Sequence, residues 1–370
     1  MLVKDVYLGI KKLKSRVILY APNSHVGGGL ILLKSLLKSW PEHVPCRGYF
    51  DSRASGLLAL ARFSGVEWVE PTITGRLKAE LSLSNTVSNN DVVIFFNSLP
   101  PVFRCRGKVV VFLQNRNLID PISLTDFKFK QAVRIAIERG LSYFLRARVD
   151  EYILQTDSFK RVLEKWYRRS DAAQSIRVTV FPFMDSDDIL DSLAPDLPLR
   201  KHDFIYVADG LAQKNHLALL EAWEILADLN YYPELAVTLP ASEINLRKKI
   251  SALQRKGLKV VNLGWLSHGE VINSLQVSHA IIFPSLRESF GLPLMEARKL
   301  NIPIVASELD YVYDVCEPEE TFDPTSPRSI ARAVMRFLDI SSPLRKVNDP
   351  EDFINYIFDR KFDGATYGKD

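Results

Sequence analysis

The chain has 370 residues, 47% hydrophobic and 25% charged, which speaks against a disordered polypeptide and fits two folded domains. Three widely spaced cysteines, Cys46, Cys105 and Cys316, fit a reducing compartment and exclude a disulfide framework or a CxxC zinc site. The net charge of +4 hides an asymmetry: residues 1–180 hold 28 Lys and Arg against 15 Asp and Glu, residues 181–370 hold 20 against 29, so the first half is expected to face something anionic.

The opening residues are interrupted by lysines and do not read as a secretory signal. RVILYAP (16–22) predicts a strand, and GGGLILLKSLLKSW (27–40) a glycine turn entering a helix. DVVIFFN (91–97) and KVVVFLQN (108–115) read as strands too short to span a bilayer. A basic amphipathic stretch runs from Phe127 to about Arg148. EYILQT (151–156), SFKRVLEKWYRRS (158–170) and RVTVFPF (177–183) predict strand, helix and strand. An acid- and proline-rich stretch, residues 185–202, then reads as a linker.

The second half alternates more regularly. FIYVA (204–208), LAVTLP (235–240), KVVNLGW (259–265), HAIIFPS (279–285) and IPIVAS (302–307) predict strands. Helical segments separate most of them, at 216–230, 243–257 and 292–300. Short strands apolar on both faces, divided by helices, point to parallel sheets covered on both sides. The fold class is therefore α/β, with two Rossmann-like doubly wound domains at 1–184 and 203–345.

One corner carries the chemistry. PSLRESFGLPLMEA (284–297) places Glu288 just beyond a strand and Glu296 inside the next helix, with Gly291 and Pro293 between them. Proline suits a helix's first turn, and the early N–H groups there favour an anion. Ser289, Phe290, Gly291 and Leu292 would offer that backbone, and Gly291 would allow close approach. The two carboxylates repel phosphate and accept only from donors such as hydroxyls. Hydroxyls on both sides of a diphosphate describe a sugar nucleotide. Lys214, in DGLAQKNH, falls at the same sheet edge and would neutralise the departing diphosphate.

YVADGLAQKNHLALLEAW, followed by NLGWLSHGEVINSLQVSHAIIFPSLRESFGLPLMEARKLNIPIVAS, resembles the donor half of the retaining glycosyltransferases of family 4, whose fold is GT-B. Glu288 to Glu296 matches the E-x7-E motif of that family. The resemblance implies two domains facing a cleft and transfer of a sugar from a nucleotide diphosphate with retention and without a metal or other cofactor. It implies that Glu288 contacts the donor sugar, Glu296 the ribose diol and Lys214 the diphosphate. Gly28 and Gly29 would close over the phosphates from the first domain. The tail, residues 346–370, would form a helix packing back on the first domain. Two positions depart from the family: Asp209 stands where an arginine is usual, and Gln114 and Asn115 where a histidine is often found.

Asp185-Ser186-Asp187 imitates a DxD metal motif, but Lys214 and the acid pair account for a donor without metal. His216, His268 and His279 lack ligand spacing and read as structural. The basic residues between Phe127 and Arg169, interleaved with aromatics, suit an anionic membrane surface better than nucleic acid, for which no binding motif is present. The expected enzyme is cytoplasmic or peripheral at the inner membrane face and builds cell-surface polysaccharide on a lipid-linked glycan acceptor. The alternative is a catalytically silent, nucleotide-sugar-binding or scaffold subunit of a polysaccharide synthase complex; an epimerase would need a general base that is not evident.

Overall fold

The computed structural model describes residues 16–120, 123–127, 129–168, 176–184 and 200–340. Most of the expected linker, the DxD-like triplet and the expected tail helix lie outside these residues.

The first domain holds β1 (Val17–Ala21), β2 (Cys46–Asp51), β3 (Gly65–Val69), β4 (Val92–Phe95), β5 (Lys108–Phe112), β6 (Glu151–Leu154) and β7 (Arg177–Val180). They form one seven-stranded sheet, order β3-β2-β1-β4-β5-β6-β7, with every pairing parallel. Its helices are α1 (Gly27–Lys38), α2 (Ile73–Thr86), α3 (Phe129–Leu145) and α4 (Asp157–Arg168). All five residues of β1 are buried, because side chains alternate between two covered faces. Val17, Leu19 and Ala21 join Leu32, Leu33 and Leu37 of α1 on one face. Ile18 and Tyr20 join Leu83 of α2 with Phe159 and Leu163 of α4 in the core on the other.

The second domain holds β8 (His202–Tyr206), β9 (Leu235–Val237), β10 (Val260–Asn262), β11 (Ser278–Phe283), β12 (Ile304–Ser307) and β13 (Glu320–Phe322). These give a six-stranded parallel sheet, order β10-β9-β8-β11-β12-β13. Around it lie α5 (His216–Asp228), α6 (Ile244–Arg255), α7 (His268–Gln276), α8 (Leu292–Lys299), α9 (Asp310–Tyr313) and α10 (Pro327–Phe337). A single core built on Phe204, Tyr206, Trp223, Phe283 and Leu294 holds the layers together.

Strand order reverses between β1 and β4 in the first sheet and between β8 and β11 in the second. Open α/β sheets bind ligands at that switch point, outside the strands' carboxyl ends. The loops following β8 and β11 therefore carry the predicted residues Lys214 and Glu288 to one place. The sequence reading passed over β2, β3, α2, α7, β13 and α10, whose positions complete the two sheets and their cover.

Candidate functional site

Two loops build the centre of the second domain's edge. After β8 the chain turns through a short 3-10 turn, Ala212–Lys214, ended by Asn215 in the left-handed conformation. Asn215 Nδ2 donates to the carbonyls of Pro284 and Pro324, at 3.1 and 2.7 Å. The Leu286 N–H donates to the Gln213 carbonyl at 2.8 Å, tying the loop after β11 to the loop after β8. Below them, the buried Tyr206 hydroxyl donates to the Lys214 carbonyl at 2.7 Å and meets Ser285 Oγ at 2.9 Å. Tyr311 Oη donates to the Ser285 carbonyl at 2.6 Å. The Tyr206 and Tyr311 hydroxyls buried under the loops are thereby satisfied, which helps fix the loops on the sheet.

On this platform Lys214 Nζ donates to Glu288 Oε1 at 2.6 Å. The side chains are 19% and 12% exposed, so the pair is largely screened from water yet reachable. Burial works to lower the Lys214 pKa, but Glu288 and Asp209 prevail and hold it above its ordinary value. Lys214 therefore remains a cation at neutral pH. Asp209 itself lies at the rim, its Oδ1 accepting from the Leu211 N–H at 3.2 Å. The usual arginine position thus adds negative charge beside Lys214 instead of a second cation.

Gly291 is the N-cap of α8 at φ 77°, a left-handed conformation that favours glycine, and Pro293 stands in the first turn. Phe290 is buried in the core of the second domain. Leu292 packs against cores of both domains. A Cβ on Gly28 would lie 3.0 Å from Leu292 Cδ1, which places the opening turn of α1 against that of α8. Two helix N-termini, each electropositive, thus meet across the cleft. A Cβ on Gly29 would meet Gln114 Oε1 at 3.5 Å, while Gln114 Nε2 donates to the Phe96 carbonyl at 2.9 Å. Gln114, at the family's histidine position, is therefore held by the backbone after β4.

Further contacts cross between the domains. Arg116 Nη1 donates to the Glu288 carbonyl at 3.2 Å, and Thr156 Oγ1 to the Ser289 carbonyl at 3.2 Å. The Ser158 N–H donates to Asp314 Oδ2 at 2.9 Å, and Arg161 pairs with Asp310 at 2.8 Å. Sequence reasoning missed Arg116 and Thr156, because nothing local to either residue announces a partner in the other domain.

Glu296 is buried, and its Oε1 lies 2.9 Å from His268 Nε2. His268, read as structural, stands in the first turn of α7, which a Ser267–Glu270 capping box opens. Glu296 therefore faces α7, while Glu288 faces Lys214. His216 is 3% exposed, lies tilted against the Tyr206 ring with centroids 4.8 Å apart, and has no hydrogen-bond partner at either nitrogen among the described residues. Burial, reinforced by Lys214, pushes its pKa down to about 3, so it stays neutral.

Residues 192–359 match the family described as glycosyl transferases group 1. No curated protein matches the chain in sequence. Among solved structures, the chain superposes on the Candida albicans trehalose-6-phosphate phosphatase N-terminal domain with a TM-score of 0.65, at 13% identity, covering 89% of this chain and 90% of that one. It superposes on the Burkholderia vietnamiensis α,α-trehalose-phosphate synthase (UDP-forming) with a TM-score of 0.61 at 12% identity, covering 88% and 92%. It superposes on Anabaena HepE in complex with UDP and glucose with a TM-score of 0.58 at 15% identity, covering 88% and 90%. Likeness at such identities speaks for the fold alone, and the family match covers residues 192–359, less than half of the chain. The chain has the GT-B fold, and its second domain carries the sequence pattern of the glycosyl transferases group 1.

Proposed function

We propose that the protein is a glycosyltransferase that takes a sugar from a nucleotide-diphosphate donor and transfers it, with retention, to an acceptor hydroxyl. The single observation that carries this reading is the convergence of Lys214, Glu288 and the Gly291 helix start on one sheet edge, facing α1. The diphosphate would lie between the openings of α1 and α8, with Lys214 against it. Glu288 would accept from the donor sugar's hydroxyls, and Glu296, steadied by His268, from the ribose. In the transfer, the bond from the anomeric carbon to the diphosphate oxygen breaks as the acceptor oxygen bonds to that carbon from the same face. The acceptor proton passes to the departing phosphate oxygen. Lys214 and the helix openings would stabilise the growing negative charge. No metal or other cofactor is required in this scheme.

The acceptor side is proposed to work at a lipid surface. Phe129, Val133, Ile137 and Phe144 recur on one face of α3, and the exposed side of that helix is the apolar one: Phe129 is 82%, Ile137 59% and Phe144 79% exposed. The face carrying Ile135 and Ser142 is buried. Ile73, Leu77 and Leu81 of α2 form a second exposed row at helical spacing. Arg134 of α3 acts electrostatically on Arg76 of α2. Lys78, Lys130, Arg134 and Arg146 flank them and suit an anionic leaflet, at about 1 kcal/mol each. No described helix is long and apolar enough to cross a membrane. This favours a peripheral enzyme on the cytoplasmic face, extending a lipid-linked glycan in cell-surface polysaccharide synthesis.

Asp209 favours a second reading, a subunit that binds the sugar nucleotide without turnover, because it weakens the cationic hold on a leaving diphosphate. A transfer assay over a panel of nucleotide sugars and lipid-linked acceptors separates the two. Product with retained anomeric configuration supports the enzyme. Donor binding without any product supports the subunit.

A further inference from the structure

Two side chains of the first domain hold successive carbonyls of the loop between β11 and α8. Arg116, in the 3-10 turn after β5, donates from Nη1 to the Glu288 carbonyl at 3.2 Å. Thr156, just beyond β6, donates from Oγ1 to the Ser289 carbonyl at 3.2 Å. Each holder is itself held. Arg116 Nε stands 2.8 Å from Oδ2 of the buried Asp120, four residues on. Thr156 is buried, and its Oγ1 accepts from the Phe159 N–H at 3.4 Å in the opening turn of α4. A hydroxyl both donates and accepts, so Thr156 serves the helix and the loop at once.

A trans peptide is planar, and its N–H points opposite to its C=O. Fixing the Glu288 and Ser289 carbonyls therefore fixes the direction of the Ser289 and Phe290 N–H groups. Among the described residues, no acceptor is bonded to either N–H. Both are strong donors left for a ligand. In the proposed pose Glu288 meets the donor sugar, and the diphosphate lies toward the opening of α8. The two amides stand between them, beside the phosphate that carries the sugar. Charge that grows on that phosphate as the sugar departs falls next to donors already aimed.

We propose that Arg116 and Thr156 are positioning residues, through which the first domain aims the Ser289 and Phe290 amides at the sugar-linked phosphate of the donor. The inference rests on the glycosyltransferase reading above, and it adds that donor recognition requires the two domains to be in contact. By linkage, a bound donor tightens the seam between the domains by the same factor. The opposite case is a seam that only holds the domains together. The molecule supplies the control: the Ser158 N–H bond to Asp314 Oδ2, at 2.9 Å, crosses the same seam without using either carbonyl.

UDP, GDP and ADP are titrated against the full chain, and the tightest binder is compared with its nucleoside monophosphate. The parent prefers the diphosphate, whose terminal phosphate reaches the amides. Thr156→Val and Arg116→Gln each lower that preference about tenfold. Thr156→Ser restores it, and Asp314→Ala leaves it within about twofold. A loss of structure alone weakens both nucleotides together and leaves their ratio unmoved. Melting temperatures establish which variants fold; should Thr156→Val fail, Arg116→Gln carries the test, and the reverse. An unchanged ratio in a folded variant of either residue, an equal fall in Asp314→Ala, or a parent without preference for the diphosphate overturns the positioning role. A parent that binds none of the three diphosphates sinks the glycosyltransferase reading itself.

Discussion

Lys214 Nζ and Glu288 Oε1 stand 2.6 Å apart and join the loops that leave two adjacent central strands, β8 and β11. The pair prepares the proposed site before any donor arrives: the lysine keeps its charge, and the contact holds the carboxylate in position.

Removing Lys214 alone leaves a mostly buried carboxylate without its cation. Lys214→Ala is expected to destabilise the protein by about 1–3 kcal/mol, and Lys214→Ala with Glu288→Ala by less than the sum of the single changes. Denaturant unfolding of the four proteins measures the coupling. Additive effects would mean that the contact contributes nothing to stability.

Glu296 is proposed to hold the ribose and not the phosphates. Glu296→Gln is therefore expected to weaken nucleoside diphosphate binding about tenfold while leaving pyrophosphate binding unchanged. Calorimetric titration of both ligands checks this. Equal losses for the two would place Glu296 elsewhere, for instance in support of His268 and α7 alone.

His216 makes stability depend on pH. Its folded pKa, about 3, lies below the unfolded value of about 6.5. The unfolded chain therefore takes up a proton first, so stability is undiminished above pH ~6.5 and falls as pH drops toward the folded value, by at most about 1.4 kcal/mol per unit. Melting temperatures between pH 7 and pH 4 should decline less steeply in His216→Leu than in the parent. Parallel curves would show that another group governs this range.

The exposed rows on α2 and α3 give a prediction about lipid. The triple change Phe129→Ser, Ile137→Ser, Phe144→Ser is expected to abolish sedimentation with anionic vesicles while leaving the melting temperature within a few degrees, because these side chains are exposed. Rising salt should weaken the parent's binding, since screening shortens the reach of the flanking lysines and arginines. Indifference to anionic lipid would end the membrane reading.

What could be read from the sequence follows from where each signal resides. β1 was legible because VILYA is apolar throughout, as a strand covered on both faces must be. β2 was not: Arg47, Gly48 and Asp51 interrupt CRGYFD, and Asp51 is buried only because the Asn23 N–H and Arg53 bond to it. In α2, Ile73, Leu77 and Leu81 point outward while Glu80 is buried and accepts from the Val102 N–H, so the usual apolar period misleads. At the site, the order of strand, acid, glycine and proline made the corner at Glu288 readable. The His268–Glu296 contact and the Arg116 contact to the Glu288 carbonyl were not, since they join residues 28 and 172 positions apart.

The most direct test of the central proposal is turnover of donor by the parent and by Glu288→Ala. Each is incubated with the nucleotide sugar that most raises the parent's melting temperature, and release of the nucleoside diphosphate is followed, with and without a lipid-linked acceptor. The expected result is release by the parent, accelerated by acceptor, and a loss of at least tenfold in Glu288→Ala with the nucleoside diphosphate still bound. Release at equal rates by the two proteins, or none from any donor by the parent, would contradict it.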